Sequence, residues 1–164
     1  GMTRAAIQRA MPEVVARAQS IYVRRAPDIS KRVCPGVRSL LRRLTVRGVV
    51  IGLVTGNLSR IGWRKMERAG LRPYFRFGAF AEQAHDRAGL VRVAIRRARK
   101  ERWIGRESAI SLIGDHPNDV LAAQANGIRA IAVGTGIVPL EELQTHSPLI
   151  AIPDLRSLLV KDLL

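Results

Sequence analysis

The stretch from Gly48 to Asn57, GVVIGLVTGN, decides the fold that we expect for this chain. Its first seven residues form a continuous apolar run rich in β-branched side chains, which is typical of a strand buried on both faces of a parallel sheet. Ser111–Gly114 and Ala130–Gly134 repeat this pattern, and shorter strands are predicted at Phe77–Phe80 and Leu149–Ile152. The chain therefore carries several strands that suit a parallel sheet.

Segments with helical spacing of apolar residues lie between these strands. They are Val37–Leu44, Leu58–Ala69, Leu90–Arg99 and Val120–Asn126. Because strands and helices alternate, the connections are expected to be right-handed crossovers that place helices on both faces of the sheet. The sequence therefore predicts the α/β class, with a doubly wound parallel sheet.

The first part of the chain differs from the rest. Ala5–Ala10 and Val14–Val23 predict one long helix or two short ones, and Pro35 with Gly36 is a turn signal that marks a natural boundary. We expect a helical segment at 1–34 joined to an α/β core at 35–164.

Composition limits the class of protein. A length of 164 residues suits one domain, and 47% hydrophobic content with only 4% aromatics suits an aliphatic interior. No apolar run approaches the roughly 20 residues of a membrane-spanning helix, and we find no signal peptide at the start. Cys34 is alone, so no internal disulfide is possible, and we expect it to be a small buried residue. These features predict a cytoplasmic protein.

The net charge of +15 raises the question of nucleic acid. Basic residues are dispersed along the chain, and their short runs are not interleaved with aromatic residues that would stack on bases. Only four of the 28 basic residues are lysines, so the excess is nearly all arginine. We expect a solvated basic surface rather than a nucleic-acid partner, and a basic binding protein is the third functional alternative.

Polar residues directly follow the strand that ends at Val54. The hydroxyl of Thr55 and the backbone amides of Gly56 and Asn57 are able to donate hydrogen bonds to a phosphate oxygen at the carboxyl edge of a parallel sheet. The alternative is that Thr55 only caps the following helix.

A second polar cluster follows the strand that ends at Gly114. Asp115 and Asp119 are four residues apart, so a turn can aim both carboxylates at one point, and hard oxygen ligands of this kind suit Mg²⁺. A helix cap and a surface acid are the alternative.

Arg87 begins a helix, where a cation gains nothing from the helix dipole, so it either reaches into the site or faces solvent.

Taken in order, these clusters resemble the motifs of the haloacid dehalogenase superfamily of phosphohydrolases, in particular its phosphoglycolate-phosphatase-like branch. The stretch Pro35–Leu41 is similar to the entry of that branch into the core, and Val54–Asn57 is similar to the second motif. Arg87 stands at the basic third motif, and Gly114–Asp119 is similar to the fourth. The stretch 134–143 is similar to the segment after the last core strand, and residues 1–34 look like part of a helical cap.

The resemblance implies an Mg²⁺-dependent phosphatase of small phosphorylated metabolites that forms an aspartyl-phosphate. It implies that Thr55, with Gly56 and Asn57, holds the phosphoryl group, that Arg87 balances its charge, and that Asp115 and Asp119 place the metal. The cap would set the substrate, which the sequence leaves open.

The first motif of the family, Asp-x-Asp on the central strand, is absent from the sequence. We therefore expect a core that lacks its central strand, with a gap near 10 Å between the strands ending at Val54 and Gly114. These strands either pair directly, receive a strand from another chain such as the partner in a homodimer, or stay poorly packed. We expect a truncated or wrongly started gene whose product is inactive, and the alternative is a catalytically dead remnant that binds Mg²⁺ and phosphate. His116 either faces the site or caps a turn.

Overall fold

The structure is a computed structural model, and it describes residues 1–163. Within that range it contains six α-helices and five β-strands. The helices are α1 (Arg4–Arg25), α2 (Val37–Val46), α3 (Ser59–Arg68), α4 (Arg87–Lys100), α5 (Pro117–Ala125) and α6 (Leu140–Thr145). The strands are β1 (Gly52–Val54), β2 (Phe77–Ala79), β3 (Ser111–Gly114), β4 (Arg129–Val133) and β5 (Ile150–Ile152).

All strand pairing is parallel, and it forms two separate sheets within the described residues. β1 pairs with β2, and β4 lies between β3 and β5 in the second sheet, where Ile131 stands opposite both Ile113 and Ile150. The five predicted strands are all present. β1 begins at Gly52 rather than Gly48: the amide of Val49 still donates to the carbonyl of Leu44 in the last turn of α2, and pairing with β2 starts at Gly52 opposite Phe77.

Helices cover both faces of these sheets, so the predicted doubly wound arrangement is confirmed. On one face of the second sheet, Leu40 of α2 packs in a cluster with Ile131 and Leu158. On the opposite face, α5 and α6 pack through Val120 and Leu143. α4 covers the first sheet through its apolar side chains, which pack against Phe77 and its neighbours.

A cavity of about 480 Å³ separates the two sheets. β1 lies on one side of it and β3 on the other, while α2 and α4 contribute side chains such as Leu40 and Ala94 to its walls. β1 and β3 do not pair with each other, so the option of direct pairing across the gap is wrong. The expected core with a strand missing between them is what the structure shows.

α1 is one continuous helix, although Pro12 lies inside it. None of its residues is buried, and it packs against α3. Gln19 Oε1 accepts a hydrogen bond of 3.1 Å from the amide of Arg60, and Arg64 donates to the carbonyl of Val23. The division of the chain at residue 34 stays a prediction.

Two further features of the chain are the exposure of Cys34 and the character of its helices. Cys34 is exposed, so the expectation that it is buried was wrong; it lies in the turn that precedes α2 and outside the packed clusters. Within residues 1–163, no helix combines the length and the apolar character needed to cross a bilayer.

Candidate functional site

Arg87 links the ends of the two sheets. Its Nη1 donates to the carbonyl of Val54, the last residue of β1, at 3.3 Å. Its Nε lies 2.9 Å from Oδ1 of Asp119 in the first turn of α5, directly beyond β3. Because one guanidinium contacts both halves of the structure, the alternative in which Arg87 only faces solvent does not describe this side chain.

Asp119 is the one buried charged side chain in the part of the chain that the structure describes, with 8% of its surface exposed. Burial raises the pKa of its carboxyl, the Arg87 guanidinium opposes that rise, and the nearby Asp115 carboxylate adds to it. Burial outweighs the ion pair, so the charged form of the Asp119 carboxyl is disfavoured even beside Arg87, and Asp115 places a second carboxyl group nearby. A bound cation would stabilise the charged forms of both carboxyl groups.

Two glycines allow the carboxylates of Asp115 and Asp119 to sit where they do. A Cβ on Gly136 would lie 2.6 Å from Oδ2 of Asp115, and a Cβ on Gly114 would overlap the carboxylate of Asp119. Both glycines therefore permit close approach of a charged group to the backbone. Asp115 itself is exposed, so it is accessible to a ligand from solvent.

The pair of carboxylates fits Mg²⁺ by its chemistry. Mg²⁺ commonly takes one or two carboxylates and completes its coordination with water and substrate phosphate. Asp119 uses Oδ1 for Arg87, which leaves Oδ2 for a cation beside Asp115. No group of three or more acidic, histidine or cysteine ligands occurs among the described residues, so a metal cage made by protein alone is not formed.

The loop after β1 has its own hydrogen bonds. Oγ1 of Thr55 accepts from the amide of Asn57 at 3.2 Å and from its Nδ2 at 2.7 Å. α3 begins later, at Ser59, and receives no side-chain cap from Thr55, so the capping alternative was wrong. Since Thr55 Oγ1 acts as an acceptor in both bonds, its own proton is free to be donated. Gly56 is exposed at the tip of the loop.

Lys65 belongs to this edge, although no pattern in the sequence points to it. Its Nζ donates to Oδ1 of Asn57 at 2.8 Å and lies 5.7 Å from the centre of the Tyr22 ring. Lys65 is one of only four lysines and follows Thr55 by ten residues on the next helix. That spacing carries no recognisable motif, so the fold was needed to find it.

Other polar residues near the site have structural roles. Nδ1 of His116 accepts from the amide of Asn118 at 3.1 Å and caps α5, which selects the capping alternative for this residue. Asp86 caps α4 through a bond from Gly89, and Glu82 accepts from the amide of Ser59 at the start of α3. These two acids therefore stabilise helix ends.

The cavity between the sheets extends to this edge. Its lining includes Val54, Gly114, Arg87, Asp115 and Asp119. The structure thus places these predicted residues around one end of the cavity, with Thr55 adjacent to Val54 in sequence. Their proposed roles toward a ligand stay predictions.

Comparisons with known proteins agree with this geometry. Residues 2–133 match the model of a family described as haloacid dehalogenase-like hydrolase. Phosphoglycolate phosphatase 1 of Pseudomonas aeruginosa is 33% identical over 131 residues, which are 77% of this chain and 46% of that protein. Phosphoglycolate phosphatase of Pseudomonas fluorescens is 29% identical over 132 residues, with the same two coverages. The chain spans about half the length of these curated relatives.

Solved structures show the same fold. β-Phosphoglucomutase of Clostridium difficile has a TM-score of 0.69 and 17% identity, covering 98% of this chain and 66% of that one. A haloacid dehalogenase-like hydrolase of Streptococcus pneumoniae has a TM-score of 0.63 and 19% identity, covering 73% and 55%. At these identities the likeness concerns the fold alone.

Proposed function

Because the chain belongs to the haloacid dehalogenase-like hydrolase family, we propose that Thr55, Arg87 and the Asp115–Asp119 turn form a site for Mg²⁺ and the phosphate of a small metabolite. The observation that best supports this proposal is that Arg87 contacts both Val54 and Asp119. This arrangement brings Arg87 of α4 and the two carboxylates after β3 next to the end of β1, at one end of the cavity. The class of reaction is hydrolysis of a phosphoric monoester, in line with the similarity to phosphoglycolate phosphatases.

Each residue has a role that follows from its contacts. The hydroxyl proton of Thr55 and the backbone amides of Gly56 and Asn57 would donate to phosphate oxygens. Lys65 holds the Asn57 side chain, and Arg87 supplies a guanidinium that is matched to phosphate geometry.

Asp115 and Asp119 would hold the metal. When bound, Mg²⁺ would withdraw charge from the phosphate oxygens as a Lewis acid. Asp119 would keep its ion pair with Arg87, so its carboxylate would hold Mg²⁺ and the guanidinium at fixed positions relative to each other.

This sequence leaves no carboxylate for the covalent step. The sequence contains no Asp-x-Asp, and the nearby acids Glu82 and Asp86 already cap helices. We infer that this polypeptide binds Mg²⁺ and phosphate and does not by itself turn over an ester. Two kinds of protein would bind in this way without turnover. One is a phosphatase whose nucleophile lies outside this sequence, and the other is a catalytically dead remnant.

Calorimetric titration tests the binding site. Mg²⁺ is titrated into the metal-free protein, and inorganic phosphate is then titrated into the Mg²⁺-loaded protein. We expect Asp115→Asn to weaken Mg²⁺ binding roughly tenfold or more. Asp154→Asn removes an acid that pairs with Arg156 away from the site and is the matched control. Equal Mg²⁺ affinity for wild type and Asp115→Asn would refute the site.

Turnover is tested separately with p-nitrophenyl phosphate. We expect no Mg²⁺-dependent hydrolysis above background, because no carboxylate is available to attack phosphorus. Hydrolysis that Asp115→Ala abolishes would overturn the inference of inactivity and would leave the binding site intact.

Two features outside the site stay predictions. One is a cytoplasmic location. The other is a homodimer in which a second copy covers the cavity between β1 and β3.

A further inference from the structure

A second cavity, of about 400 Å³, lies at the opposite edge of the second sheet. Its lining includes Arg92, Arg96 and Arg99 of α4, Arg106 in the loop before β3, and Arg129 at the start of β4. None of its twelve lining residues is acidic. Three separate segments therefore bring five guanidinium groups to one concave surface.

This cavity is well separated from the candidate phosphate site. Arg87 and Arg99 lie at opposite ends of α4, and twelve residues of helix correspond to about 18 Å. Residues at the amino ends of β3 and β4 line the cavity, whereas Asp115 follows the carboxyl end of β3. One compact ligand cannot occupy both places.

Four of the five arginines of the cavity lack the partners that other arginines of the chain have, and Arg129 is not one of these four. Among residues 1–163, Arg92, Arg96, Arg99 and Arg106 make no hydrogen bond, ion pair or ring contact. Elsewhere the guanidinium groups of several arginines donate to oxygen atoms or lie over aromatic rings, namely those of Arg38, Arg43, Arg64, Arg72, Arg76, Arg87, Arg97 and Arg156.

The spacing on α4 concentrates positive charge. Arg92, Arg96 and Arg99 follow one another by four and three residues, so they share one face of the helix. Like charges at these spacings destabilise a helix. The helix dipole favours a cation only in the last turn, which accounts for Arg99 and leaves Arg92 and Arg96 without that benefit. A bound anion would remove the repulsion.

We propose that this cavity binds a compact oligophosphate chain, either free or as part of a nucleotide. Guanidinium groups bind phosphate oxygens in bidentate fashion, and several of them converging on one cavity favour an anion of several charges over a single sulfate or phosphate. The volume lies at the small end of ligand cavities. Ile95, Ile110 and Ile128 supply an apolar floor.

A nucleic-acid strand fits these observations less well. Sequence-tolerant binding of single strands combines a basic groove with aromatic side chains on which bases stack. The lining of this cavity contains no aromatic residue. Its compact shape also suits a short phosphate chain better than a long backbone.

Isothermal titration of inorganic tripolyphosphate tests the proposal. EDTA is present and the ionic strength is held constant, so the proposed Mg²⁺ site does not contribute. We expect tripolyphosphate to bind at least about tenfold more tightly than sulfate, and Arg96→Gln to weaken it by roughly tenfold. Arg42→Gln, an exposed arginine on α2 without a partner, is the matched control and should leave the affinity unchanged.

The other outcomes are equally defined. If ATP and tripolyphosphate bind with equal affinity, the cavity recognises the phosphate chain alone. If ATP binds more tightly, the apolar residues Ile95, Ile110 and Ile128 also contribute to binding. Equal binding of sulfate, or an equal loss in Arg42→Gln, overturns the proposal in favour of diffuse charge. A twenty-nucleotide strand that binds more tightly than tripolyphosphate, with a steep salt dependence, overturns it in favour of nucleic acid. Far-ultraviolet circular dichroism and thermal melting of each variant confirm that it is folded.

Discussion

The ion pair between Arg87 and Asp119 should contribute about 2 kcal/mol of coupling to the free energy of unfolding. At 2.9 Å and an effective dielectric constant of about 20, the Coulomb attraction is about 6 kcal/mol before desolvation is subtracted. The two side chains are 30% and 11% exposed, which places the pair between surface pairs of about 0.2–1 kcal/mol and buried pairs whose disruption costs about 3–5 kcal/mol.

A double-mutant cycle measures this coupling. Arg87→Gln, Asp119→Asn and the double variant are compared by urea unfolding in EDTA at pH 7. We expect Arg87→Gln to be the most damaging change, because it leaves a buried carboxylate without a cation. Asp119→Asn should cost much less, since burial already disfavours the charged form of this carboxyl. The double variant should be more stable than Arg87→Gln and should recover most of the unfolding free energy that this single change removes.

The surface pair Arg64–Glu67 is the matched control. Its atoms are 3.1 Å apart, but its side chains are 30% and 48% exposed and three residues apart on one helix. We expect a coupling below about 0.5 kcal/mol for this pair. A coupling for Arg87 and Asp119 no larger than that of the control would refute the reasoning that burial strengthens the first pair.

The pH dependence has a defined sign. Because the pKa of Asp119 is raised in the folded protein, the protonated carboxyl favours folding, and this contribution is lost as pH rises through the folded pKa. Removal of Arg87 should raise that pKa further. The loss of unfolding free energy caused by Arg87→Gln should therefore be largest near pH 7. This loss should become smaller as the pH falls and Asp119 takes up a proton. A deficit that does not change with pH would contradict this account.

Two further predictions concern other residues. Gly136→Ala should weaken Mg²⁺ binding in a calorimetric titration because its Cβ would displace the carboxylate of Asp115, whereas Gly105→Ala, with its nearest neighbouring atom at 3.8 Å, should not. Hydrogen bonds from Arg156 lower the pKa of Asp154, so the stability difference between wild type and Asp154→Asn should be present above pH 4 and should fade as Asp154 protonates below it in acid unfolding.

Local patterns in the sequence predicted the elements of the fold well. Four of the five strands are short apolar segments that contain β-branched residues, whereas β2 (Phe77–Ala79) contains none. Gly70 and Gly127 follow helical segments in the sequence, where a glycine commonly closes a helix in the left-handed conformation, and their φ angles are 66° and 63°. The sequence did not decide between one and two helices before residue 26, because Pro12 weakens a helix without always ending it.

Contacts between distant segments were harder to predict. Lys65 reaches Asn57 only because α3 folds back beside the loop after β1. The arginines of α4 were dispersed charges in the sequence, and their concentration became visible only when the fold placed Arg106 and Arg129 beside them. Such convergence depends on tertiary structure, whereas strand and helix patterns depend on neighbours in the sequence.

The split sheet gives the candidate site an unusual dependence on α4. Asp115 and Asp119 both belong to the segment after β3, so the proposed Mg²⁺ site requires only that segment. The proposed phosphate site also requires the loop after β1, and no strand pairing joins β1 to β3. Arg87 joins them through Val54 and Asp119. Loss of Arg87 should therefore reduce phosphate affinity much more than Mg²⁺ affinity, because it removes a phosphate ligand and the link between the two halves together.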